Sequence, residues 1–80
     1  MREVFEAGSD KAREAELLLK NDDVVGRQSI AVRNASILGM EGDKVYIIID
    51  GSEHAIKRAE ELLKGMAKKM KKNAEVLQKY

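Results

Sequence analysis

The sequence predicts an α+β domain with a β-α-β-β-α order of elements: a three-stranded mixed sheet, helices packed on one face, and a long C-terminal helix. Three observations carry that prediction. Lys44-Val45-Tyr46-Ile47-Ile48-Ile49-Asp50 holds five consecutive apolar residues, four of them β-branched, which suits a pleated backbone. Gly39-Met40-Glu41-Gly42-Asp43, immediately before it, reads as a hairpin turn, because glycine and aspartate supply the backbone angles that tight turns need. Two other stretches place apolar residues at helical spacing.

In chain order, Arg2 to Ala7 reads as a short strand with Val4 and Phe5 as its apolar content, stopped by Gly8-Ser9-Asp10. A helix follows over about residues 10 to 20, with Ser9 or Asp10 as its cap and Ala12, Ala15, Leu18 and Leu19 on one stripe. Asn21-Asp22-Asp23 ends it, asparagine being able to adopt the left-handed conformation that closes a helix. Gln28 to Met40 reads as a second strand. It places Ile30 and Val32 on one face and Ala35 and Ile37 on the other, so a bulge near Arg33-Asn34 is needed to keep both pairs in the core.

The third strand, at 44 to 50, sends Val45, Ile47 and Ile49 to one side and Tyr46 and Ile48 to the other. Both of its faces therefore need cover. Ser52 caps the last helix, with Glu53 in the first turn against the positive end of the helix dipole. Apolar residues at Ile56, Ala59, Leu63, Met66, Met70, Leu77 and Tyr80 keep one heptad phase through Gly65, which predicts a continuous helix over about 53 to 78. With two helices on one face, Tyr46, Ile48, Met66, Met70 and Leu77 form the expected dimer or packing face. A homodimer is the expected way to cover it, and a far end of the helix bending back at Gly65 is the alternative.

Eighty residues make one small domain, spanning 1–80, whose core buries only about 60% of the surface of the unfolded chain. The absence of cysteine removes disulfides, thiolate metal sites and cysteine nucleophiles and leaves a reducing, cytoplasmic setting as the expectation. No apolar run approaches the roughly 20 residues that span a bilayer, so no membrane partner is expected. Charged residues make up 36% of the chain, mostly Lys, Glu and Arg, a bias found in proteins of hot-living organisms. The absence of proline runs against that thermophile-like reading.

Net charge is +1, but it is unevenly spread. Residues 1–63 carry 9 basic and 13 acidic side chains, so 9 − 13 = −4, whereas residues 64–80 carry 6 Lys and one Glu, so 6 − 1 = +5. Such asymmetry marks a binding surface rather than a fold. Lys64, Lys68, Lys69, Lys71 and Lys72 form the expected polyanion-binding patch, on a basic helical extension at 64–80. Its expected partners are nucleic acid or an acidic protein. The absence of arginine from the cluster removes bidentate phosphate contacts, and base stacking would fall to Tyr80.

Other chemistries find no support. His54 is the lone histidine, too few for a zinc site, and Asp22, Asp23, Asp43 and Asp50 lack the spacing of a calcium-binding loop. Asp50 and Glu53 flank the amide-rich start of the last helix with like charge, which suits capping better than anion binding. Ser9, Ser29, Ser36 and Ser52 lack a nucleophile elbow, and there is no phosphate-binding glycine loop or dinucleotide fingerprint. The expectation is a non-enzymatic protein without metal or cofactor.

The segment Ser29 to Gly65, a hairpin followed by Gly51-Ser52 and an Ala-rich charged helix, resembles the β-β-α portion of KH-type RNA-binding domains and half of a ferredoxin-like module. KH function rests on a G-x-x-G loop between two helices; here Gly39-Met40-Glu41-Gly42 sits in a hairpin and holds an acid, so no functional residue carries over. The expected function is a small binding module whose basic C-terminal helix engages nucleic acid or another polyanion. The alternative is a homo-oligomeric structural or regulatory protein.

Overall fold

The computed structural model describes residues 1–34 and 43–70. Its elements are β1 (Arg2–Gly8), α1 (Ala12–Lys20), a one-turn 3-10 helix (Val25–Arg27), β2 (Ser29–Asn34), β3 (Lys44–Asp50), α2 (Glu53–Leu62) and β4 (Ala67–Lys69). The strands form one sheet in the order β2-β3-β1-β4, and every neighbouring pair is antiparallel. This is the ferredoxin-like arrangement, two split β-α-β units interleaved so that each contributes one inner and one edge strand.

The expected three-stranded mixed sheet is thus a four-stranded antiparallel one. The reason lies in β3. A strand apolar on both faces belongs inside a sheet, and β3 inserts between β1 and β2, which would otherwise have paired in parallel. Ile47 and Ile49 lie opposite Val32 and Ile30 on one side and Phe5 and Glu3 on the other. Within Ser29–Asn34 the pairing is one to one, with no bulge. The expected hairpin turn at 39–42 and the positions of Ala35 and Ile37 lie outside the described residues.

Both helices cover one sheet face. Ala15 and Leu19 from α1, Ile56, Ala59 and Leu63 from α2 and its end, and Phe5, Val45, Ile47 and Ile49 from the sheet form one buried cluster. Helix α1 is not capped by Ser9 or Asp10: Lys11 stands at its cap without a side-chain bond. Ser9 Oγ instead donates to Asp43 Oδ1 at 2.7 Å, tying the end of β1 to the start of β3. Asn21 ends the helix at φ −85°, in the ordinary right-handed region. Ser52 behaves as expected, its Oγ accepting the Ala55 N–H at 3.2 Å.

The continuous helix expected over about 53 to 78 is interrupted among the described residues. Helix α2 stops at Leu62, and the chain turns through Leu63–Met66, closed by a bond from the Met66 N–H to the Leu63 carbonyl at 2.9 Å. Gly65 sits third in this turn at φ +88°, an angle that other residues adopt only under strain. The chain beyond it runs back along β1 as β4, and the Met70 N–H donates to the Val4 carbonyl at 3.0 Å. Backbone groups on the free edge of β1 find partners this way, which a straight helix would leave unpaired.

The centre of the second sheet face is also buried. Val4 (0% exposed), Tyr46 (4%) and Ile48 (4%) form a separate cluster, with Ala31 and Met70 packed against it. Tyr46 and Ile48 are thus buried within the single chain. Among the described residues no helix is long and apolar enough to cross a membrane.

Candidate polyanion-binding edge

Strand β4 pairs with Phe5, Glu6 and Ala7 of β1, and its alternation decides where the lysines go. Lys68 lies opposite Glu6, and Lys69 lies opposite Phe5. Since Phe5 belongs to the helix-covered cluster, Lys69 emerges on the helix side and Lys68 on the far side. Lys64 stands exposed in the turn before β4. Of the five lysines expected on one helix face, Lys64, Lys68 and Lys69 are therefore distributed around a sheet edge, and Lys71 and Lys72 lie outside the described residues.

On the helix side, Lys69 Nζ donates to Glu60 Oε1 at 3.0 Å. That bond, with the charges of Glu3 and Glu60 adding to it, holds the Lys69 ammonium above its ordinary pKa. An open groove of about 310 Å³ lies here, lined by Phe5, Glu60, Lys64, Gly65, Ala67 and Lys69. On the far side, Lys44 Nζ pairs with Glu6 Oε1 at 3.2 Å. A groove of about 510 Å³ is lined there by Glu6, Lys44, Lys68, Lys69 and Met70. Among the described residues Lys64 and Lys68 form no ion pair.

On the helix side Lys64 and Lys69 stand with Glu60 and within reach of the Glu3 charge, and on the far side Lys44 and Lys68 stand with Glu6 and Asp43, so carboxylates match the lysines on both sides. The lysines can still attract phosphate or carboxylate groups electrostatically. Among the described residues the aromatics, Phe5 and Tyr46, are buried and offer no stacking surface; Tyr80, the residue expected to stack on bases, lies outside them.

The expected packing-face residues separate. Tyr46 and Ile48 share the far-side cluster with Met70, whereas Met66 packs against the helix-side core; Leu77 lies outside the described residues. His54 is exposed on the first turn of α2. Among the described residues no group of three or more His, Asp or Glu side chains converges as metal ligands would. Sequence reasoning missed Lys44 and Glu6, which lie 67 − 44 = 23 and 67 − 6 = 61 positions before β4 in the chain and reach it only through strand pairing. No known family, curated protein or solved structure matches this chain.

Proposed function

We propose that the chain is a small non-enzymatic binding module that holds the phosphate backbone of nucleic acid, or another polyanion, against the β4 edge. The observation that carries this reading is the pair of ammonium groups at Lys64 and Lys68 that form no ion pair among the described residues, at the start of the segment that bears the +5 charge. Point-charge lysines without arginine or stacking aromatics favour contact with backbone over recognition of sequence. Binding should be tolerant of sequence and steeply dependent on salt. Gel-shift or filter binding with mixed RNA and DNA tests it. Complexes are expected at about 50 mM salt and should weaken sharply by about 200 mM; no complex at the lower salt overturns the reading.

A homo-oligomer is the second reading, and one observation favours it. Among the described residues β2 is an edge strand of six residues without proline or bulge, and unguarded edges of this kind pair with other strands. A two-fold pairing of β2 with its copy would extend the sheet to eight strands. Sedimentation equilibrium decides, a monomer across the micromolar range excluding it.

A further inference from the structure

Lys44 lies in the third strand, far in sequence from the basic segment, yet the sheet delivers it to the same place. Glu6 of β1 stands between Tyr46 of β3 and Lys68 of β4 in the ladder. Lys44, one turn of the pleat from Tyr46, leans onto the Glu6 carboxylate at 3.2 Å. Opposite Lys44 in β1 is Gly8, which offers no side chain to compete for the ammonium or crowd it. Lys44 remains half exposed, at 51% of its side-chain surface, while Glu6 is only 20% exposed. The ammonium is thus on the solvent side of the pair, and the carboxylate sits beneath.

Resting on the reading above, we infer that Lys44 is a phosphate-binding residue of the β4 edge, acting with Lys68 on a nucleic-acid backbone, and that Glu6 holds it in place and competes with the phosphate. The ligand chemistry is the phosphodiester, which single strands and duplexes share. Glu6 is a positioning residue that weakens binding as well as orienting it. Removing its charge leaves both lysines for the ligand.

The test is salt-titrated binding of a mixed-sequence single strand and of a duplex to the whole chain and to four variants. Lys44→Gln should lower affinity several-fold at low salt and reduce the steepness of log affinity against log salt by about 1, as expected for one lost phosphate contact. Lys44→Arg, which keeps the charge, should retain the original steepness. Glu6→Gln should bind more tightly than the unaltered chain, and Lys20→Gln, on α1 and paired with Glu16, should change nothing. Steepness unchanged in Lys44→Gln, its loss in Lys44→Arg as well, or weaker binding by Glu6→Gln would overturn the assignment of Lys44 while leaving the β4 lysines in place. Absence of binding by the unaltered chain would remove the underlying reading itself. A response confined to one of the two probes identifies which form of backbone fits the edge.

Discussion

The Asp22 carboxylate joins three pieces of chain. Its Oδ2 accepts the N–H groups of Val24 and Val25 at 3.1 and 3.0 Å, and its Oδ1 accepts from Arg58 of α2 at 3.1 and 3.0 Å. The Val25 bond is the main reason its pKa lies below the ordinary carboxylate value; Arg58 and Val24 add to the effect, and partial burial opposes it. The native state therefore binds this proton less readily than the unfolded chain. Its contribution to stability is complete above the unfolded carboxylate value of about 3.9 and is lost as pH falls through the lower native value. Urea unfolding from neutral pH down into acid should show Asp22→Asn less stable at neutrality and flatter across the acid limb. An acid loss equal to that of the unaltered chain would show that Asp22 is not responsible. A neighbouring residue explains why the connection is tight: a Cβ on Gly26 would meet the Lys20 carbonyl oxygen, so the 3-10 turn packs directly on the end of α1.

At the scale of elements, Gly65 decides the path of the chain from α2 into β4. An L-residue at its angle costs roughly 1–2 kcal/mol, and open space surrounds its Cα, so Gly65→Ala tests backbone strain without a clash. The expected outcome is a loss of about 1–2 kcal/mol in denaturant unfolding with no gain of helical signal in far-UV circular dichroism. Increased helicity at unchanged stability would mean that α2 prefers to run on. Strand β3, both helix starts near their observed positions and the Ser52 cap were legible, because strong local signals agree there with the burial pattern. The path beyond Gly65 was not. Met66 and Met70 fall four apart, which reads as one helical stripe, yet they face opposite sides of the sheet. The competing demand, from unpaired groups on β1 some sixty residues earlier, leaves no trace in a local window. The same blindness applies to the candidate site, where Lys64, Lys68 and Lys69 announce themselves as charge but Lys44 and Glu6 do not.

For the whole molecule, the two clusters on opposite faces of one sheet make the burial of Tyr46 and Ile48 a property of the single chain. Ile48→Ala should remove about 2–5 kcal/mol of stability, and the loss should stay the same over a hundredfold range of protein concentration. A concentration-dependent loss would mean that a second copy supplies the cover. The interleaved topology also has a kinetic side. Strand β1 is flanked by β3 and β4, so Phe5 finds its neighbours at Ile47 and Lys69, the latter 69 − 5 = 64 positions later. During synthesis, at about 5–20 residues per second, that interval lasts roughly 3 to 13 s. Throughout it the nascent strand carries Val4 and Phe5 without both of its ladders, accessible to chaperones, and the ribosome must nearly finish the domain before its earliest segment can lock.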